Sequence, residues 1–210
     1  MQGLIKSTKT FRYSTIGNPE TAKTIIYVLH GYGQLSEYFI RKFDELKEKY
    51  FIVAPEGMHR FYLKGSSGRV GASWMTKEDR MNDISDNLNW LNQLDAEIAS
   101  KYQFDKKIIL GFSQGGAAAI RWFYNNQFKI DQLIIWAAVF PPDLNIENEL
   151  GNSNSQNKFF VIGNEDEFHS VNQRTEIIDY YKSAGFKTLI YNGKHDINSD
   201  TLNLLLNTTN

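Results

Sequence analysis

Ile108-Ile109-Leu110-Gly111-Phe112-Ser113-Gln114-Gly115-Gly116-Ala117-Ala118-Ala119-Ile120 is the stretch on which the reading of this chain turns. Ile108 to Leu110 are β-branched or large apolar residues that suit a buried strand. Gly115 to Ile120 has the small-residue content of a helix packed closely on a sheet. The segment Gly111-Phe112-Ser113-Gln114-Gly115 therefore reads as strand, sharp turn and helix, with the serine at the hinge. Such a turn strains the serine and presents its hydroxyl at the carboxyl end of the strand, where glycine neighbours leave it room. The five-residue pattern is weak by itself. An ordinary turn in which Ser113 merely caps the helix is the bland alternative, and the surroundings decide between the two.

Working outward, short apolar runs recur on both sides. Thr24 to Leu29, Tyr50 to Pro55, Gln132 to Ala137, Phe159 to Ile162 and Lys187 to Tyr191 read as strands, and Thr8 to Ile16, ending at Gly17-Asn18-Pro19, as an edge strand. Between them lie helical periods. Phe39, Phe43 and Leu46 recur within 36–49, Met81, Ile84, Leu88, Leu91, Leu94 and Ile98 within 79–102, and Leu202, Leu205 and Leu206 within 198–206, while 170–184 is closed by Gly185. Residues 56–77 read as a long irregular loop and 145–158 as a solvated one. Strands alternating with helices predict an α/β fold with a mostly parallel central sheet and helices on both faces, in one domain over 1–210 with no room for a lid domain. Ligands of such sheets sit beyond the carboxyl ends of the strands, which singles out loops 30–35, 56–77, 163–169 and 192–197.

Composition narrows the function. At 210 residues, 41% hydrophobic and 22% charged, the chain has the balance of a globular protein. A net charge of −1 without a basic block argues against a nucleic-acid partner. No segment has the apolar length of a membrane span or a signal peptide, and cysteine is absent, which excludes disulfides and thiolate chemistry. The default expectation is a cytoplasmic protein. Oligomeric state is not legible.

A serine hydroxyl needs a base to become a nucleophile and a third group to orient that base. The candidates are His30, His59, His169 and His195. Elbows of this kind carry their partners in the order serine, acid, histidine, which leaves His169 and His195. His195 is favoured because Gly193 lets its loop swing back over the sheet edge. For the acid, Gly163-Asn164-Glu165-Asp166-Glu167 offers three carboxylates. Asp166, at the fourth position of a Gly-x-x-Asp turn directly after a strand, is preferred over Glu165 and Glu167, with Asp143 the runner-up. The oxyanion of an acyl-transfer intermediate needs N–H donors. The amide of Gln114 and that of Tyr32, in His30-Gly31-Tyr32-Gly33, fill those places, and His30 orders the loop rather than moving protons.

Taken together, LHGYGQ, GFSQGGA, GNED and GKHDI resemble the acyl-protein thioesterase, carboxylesterase and phospholipase-like branch of the α/β-hydrolases, over residues 25 to about 200. The resemblance implies a small lidless serine hydrolase of carboxylic esters or thioesters, without cofactor or metal. It carries over Ser113, Asp166 and His195 as the triad and Tyr32 with Gln114 as the oxyanion hole. The chain departs from the family after the acid, where Glu167-Phe168-His169 replaces the frequent Pro and Val, and in the 56–77 loop. Phe61, Tyr62, Trp74, Met75 and Phe140 are the candidate acyl-pocket residues, against a plain packing role. Arg60 and Arg69 are candidates for an anionic group, against a solvated surface role. The same triad would also serve a serine peptidase or an acyltransferase, and a non-catalytic binding module is the reading from another class.

Overall fold

The computed structural model describes residues 3–125, 129–144 and 157–207. Its centre is a seven-stranded sheet in the order β1-β3-β2-β6-β7-β8-β9. These strands are β1 (Tyr13–Ile16), β2 (Thr24–Leu29), β3 (Phe51–Pro55), β6 (Lys106–Phe112), β7 (Gln132–Trp136), β8 (Lys158–Gly163) and β9 (Lys187–Tyr191). All adjacent pairs are parallel except β1 with β3, the antiparallel edge. A separate hairpin pairs β4 (His59–Tyr62) with β5 (Val70–Ser73). The helices are α1 (Ser36–Phe39), continued by a 3-10 segment (Ile40–Leu46), α2 (Arg80–Ala99), α3 (Gln114–Asn125), α4 (Val171–Ser183) and α5 (Ser199–Asn207).

The central strands are apolar on both faces because both faces are covered. Ile25, Tyr27 and Leu29 point into a core shared with Leu91, Leu94, Trp122 and Tyr181 of α2, α3 and α4. Ile26 and Val28 point the other way, into a core with Phe39, Phe43, Leu202 and Leu205 from α1, the 3-10 segment and α5. Period-2 alternation sorts these side chains between two layers that are equally dry, so no polar face survives in the sequence. Among the described residues no helix is long and apolar enough to cross a membrane.

Several expectations meet a different outcome. The helix foreseen at 36–49 is a short α-helix that tightens into a 3-10 turn, although Phe39 and Phe43 are buried as their spacing requires. The edge strand begins only at Tyr13, and Met81, assigned to the inner face of α2, is 62% exposed. The 56–77 stretch is only partly irregular, since it carries the β4–β5 hairpin. Gly71 sits inside β5 where a Cβ would lie 2.4 Å from the Gly33 carbonyl oxygen, so it marks a close backbone approach rather than a break. The solvated loop expected at 145–158 lies outside the described residues up to 156, and Lys158 opens β8.

Candidate functional site

Ser113 stands between the last residue of β6 and the first of α3, in the left-handed region at φ 53°. A non-glycine residue there costs about 1–3 kcal/mol and persists only where the surroundings hold it. Two bonds do so: the Ser113 N–H donates to the Trp136 carbonyl at 2.8 Å, and the Gly116 N–H donates to the Ser113 carbonyl at 2.9 Å. The flanking glycines are steric requirements. A Cβ on Gly111 would lie 2.5 Å from the Gly115 carbonyl oxygen, and one on Gly115 only 2.3 Å from that of Leu29.

Asp166 and His195 approach one another because β8 and β9 are parallel neighbours with Gly163 paired to Tyr191, so both following loops leave the same end of the sheet. The Asp166 side chain is sealed from solvent and its Oδ2 lies 2.7 Å from His195 Nδ1. Oδ1 accepts the Phe168 N–H at 3.0 Å, so both carboxylate oxygens are engaged. The two loops are also stitched through backbone: Glu165 N–H donates to the Gly193 carbonyl at 2.9 Å and Gly193 N–H to Asn164 Oδ1 at 3.0 Å. The His195 ring lies between Phe112, at 4.9 Å between centroids, and Phe168 at 4.4 Å. Phe112 is the residue immediately before Ser113.

The segment that breaks the family pattern thus grips the imidazole loop. Glu167 Oε2 accepts the His195 backbone N–H at 3.2 Å, and its carboxyl is held below its ordinary range by backbone N–H groups, its own and that of His195. Phe168 is 68% exposed yet packs at a tilt against the ring. Nothing in composition singled out either residue. The signal was their adjacency to the acid.

The loop after β2 lies directly over the serine. A Cβ on Gly31 would lie 3.2 Å from that of Ser113. The Gly31 and Gly33 amides are occupied, by Gln34 Oε1 at 2.9 Å and the Ala72 carbonyl at 2.8 Å. Among the described residues the Tyr32 amide has no acceptor, and the Gln114 amide, at the first turn of α3, has none within its own helix. His30 is fully buried. Its Nε2 accepts the Gly57 N–H at 2.9 Å, which leaves the proton on Nδ1 to donate to the Gly31 carbonyl at 2.8 Å. Burial pushes its pKa from 6.5 down to about 4.

The Gln114 side chain was missed. Its Oε1 accepts the Trp74 N–H at 3.1 Å and its Nε2 donates to the Met75 carbonyl at 2.8 Å, tying the end of β5 to the elbow. A glutamine inside a glycine-rich turn carries no such signal, because its partners lie 39 and 40 residues away. Trp74, Met75 and Phe140, with residues of α2 and α3, line a groove of about 360 Å³ that begins at Gln114. Trp74 is also a packing anchor, buried with its Nε1–H on the His30 carbonyl at 2.8 Å. Phe61 and Tyr62 are elsewhere, on β4, where Phe61 packs on Tyr32 at 5.1 Å.

Asp143, Arg60, His59 and His169 have structural partners. Asp143 is chelated by Arg121 through Nε at 2.9 Å and Nη2 at 2.6 Å, which holds its carboxyl below the ordinary range. Arg60 donates to Glu56 at 2.7 Å, beside Arg12. The His59 Nε2 stands 3.0 Å from Asp83, and the His169 carbonyl accepts from Arg174 at 2.7 Å. Among the described residues there is no cluster of three or more His, Asp or Glu side chains suited to a metal ion.

Solved structures share this arrangement of strands and helices. A carboxylesterase from Mesorhizobium loti superposes with a TM-score of 0.73 at 13% identity, over 94% of this chain and 93% of that one. A phospholipase/carboxylesterase from Dyadobacter fermentans gives 0.63 at 23%, over 97% and 98%. Acyl-protein thioesterase 2 from Zea mays gives 0.65 at 16%, over 94% and 98%. At such identities the likeness is one of fold. No curated protein sequence matches the chain. The family profile described as phospholipase/carboxylesterase matches residues 13–209. A match that runs from the first strand to the last helix concerns the whole fold rather than the elbow alone, and the chain belongs to the phospholipase/carboxylesterase family of α/β-hydrolases.

Proposed function

We propose that this protein is a serine hydrolase of carboxylic esters or thioesters, acting as one domain through an acyl-enzyme on Ser113. His195 takes the Ser113 proton as the hydroxyl attacks the acyl carbon, and returns it to the leaving oxygen or sulfur. It then deprotonates the water that releases the acid. Asp166 fixes the imidazole with its proton on Nδ1, so that Nε2 is the basic nitrogen, and stabilises the imidazolium. The Tyr32 and Gln114 amides receive the oxyanion. The groove walled by Trp74, Met75 and Phe140 holds the acyl group.

The observation that carries this reading is the 2.7 Å contact between the buried Asp166 carboxylate and the His195 ring, whose face rests on the residue preceding a strained serine. A cysteine-free chain suits a reducing cytoplasm, where we place it. The test is a panel of short and long acyl esters, thioesters and peptides, run beside Ser113→Ala and combined with fluorophosphonate labelling. The expected result is ester or thioester turnover and a covalent adduct, both abolished by the substitution. Peptide cleavage with negligible ester turnover, or folded protein without an adduct at Ser113, overturns it.

A further inference from the structure

We propose that the cleft across the sheet edge from the acyl groove receives the leaving group, and that Arg69 there selects esters or thioesters whose alcohol or thiol carries an anionic group, a carboxylate or a phosphate. This rests on the hydrolase reading above. In acylation a bond forms between Ser113 Oγ and the acyl carbon, the bond from that carbon to the leaving oxygen or sulfur breaks, and the imidazolium proton goes to the leaving atom. The leaving group must therefore lie on the side of the serine that His195 occupies.

That side is identifiable. His195 packs on Phe112, Phe112 stacks on Phe39 at 5.9 Å, and Phe39 belongs to the core layer of α1 and α5. The acyl groove, lined by α2 and α3, opens over the other layer. Phe39 also lines a cleft of about 640 Å³, bounded by Gly33 of the oxyanion loop, Tyr38, Lys42 and Arg69. Lys42, on the cleft wall, donates to Asp196 Oδ1 at 2.6 Å, which ties that wall to the residue following His195.

Its charge is one-sided. The two charged residues that line it, Lys42 and Arg69, are both cationic. Lys42 is compensated by Asp196, whereas Arg69, exposed on the hairpin, has no acidic partner among the described residues. Arg41, on the same flank, stacks on Tyr38 at 4.9 Å. A leaving group with its stem along the exposed Tyr38 ring and a distal anion would meet the Arg69 guanidinium without displacing an existing ion pair.

The test uses butyrate esters of phenols matched in leaving-group pKa: one neutral, one bearing a carboxylate, one a phosphate. The quantity read is the ratio of kcat/KM for each anionic ester to that for the neutral one, which cancels differences in active-enzyme concentration. In the unaltered enzyme the ratio should exceed that of Arg69→Gln by about fivefold, corresponding to the ~1 kcal/mol upper range of an exposed ion pair. It should fall further in Arg69→Glu and shrink with rising salt. A ratio that drops for one anion alone supports the subsite and names its ligand. An equal ratio in all three proteins, with Ser113-dependent turnover intact, overturns this inference and leaves the hydrolase reading standing. No Ser113-dependent turnover of any of the esters overturns both.

Discussion

The Asp166 carboxylate, shut off from solvent, meets His195 Nδ1 at 2.7 Å while its second oxygen is held by the Phe168 amide. An amide at this position keeps the shape but can present its NH2 to Nδ1, which stabilises the opposite tautomer and no imidazolium. We predict that Asp166→Asn lowers kcat roughly 10³–10⁴-fold with little change in melting temperature. Steady-state ester hydrolysis beside a thermal melt checks it, and near-normal turnover would remove Asp166 from the mechanism.

Asp143 serves as the contrast. Its carboxylate neutralises an Arg121 side chain that is only 7% exposed. Removing the partner strands a buried guanidinium, so Asp143→Ala should cost about 3 kcal/mol of stability. Turnover by the protein that remains folded should stay within a few-fold. Urea unfolding and single-concentration assays separate the two effects.

Gly115 makes the helix start possible. A methyl group there would press on the carbonyl oxygens of Leu29 and His30, at 2.3 and 2.4 Å. Both atoms are backbone and cannot rotate away. Gly115→Ala is expected to destabilise the fold by about 1–3 kcal/mol and to reduce kcat by displacing the Gln114 amide, as read by chemical denaturation and initial rates.

Truncating Gln114 tests the side chain without removing the amide. Gln114→Ala leaves the Trp74 N–H without its acceptor, while the Met75 carbonyl keeps the Ser73 hydroxyl, a loss of about 1–3 kcal/mol. Its kcat should exceed that of Ser113→Ala by orders of magnitude. A variant as inactive as Ser113→Ala would mean that the side chain itself takes part in the chemistry.

His30 predicts an acid-sensitive fold. Its pKa is about 4 when buried and 6.5 ordinarily, so below pH 6.5 the unfolded chain binds a proton that the folded one refuses. The stability it contributes is complete above pH 6.5 and is lost towards pH 4, about 3 kcal/mol across that window. Glu56 acts lower on the scale. Burial would raise its carboxyl, but hydrogen bonds from Arg60, Arg12 and Ser36 outweigh that and hold it below 4.5, so its contribution is present above that value and lost beneath it. Unfolding free energies between pH 7 and pH 4 should fall in the unaltered protein and flatten in His30→Gln. An equal slope in both would locate the sensitivity elsewhere.

How much was legible depended on range. The strand at Ile108, the left-handed serine after it and the helix of small residues are consequences of neighbours within a dozen positions, and the sequence by itself determined them. The same holds for the parallel order of strand and helix, since apolar runs and helical periods are local records of burial. What tertiary structure alone decided is which side chains meet. Asp166 and His195 are 29 residues apart and come together because β8 and β9 pair in one register. Gln114 reaches 40 residues back to Trp74, and Gly71, within a stretch that reads as loop, belongs to a hairpin strand whose close approach to the Gly33 carbonyl leaves no room for a side chain. A close approach between distant backbones leaves only a glycine in the sequence, and a glycine does not say what it makes room for.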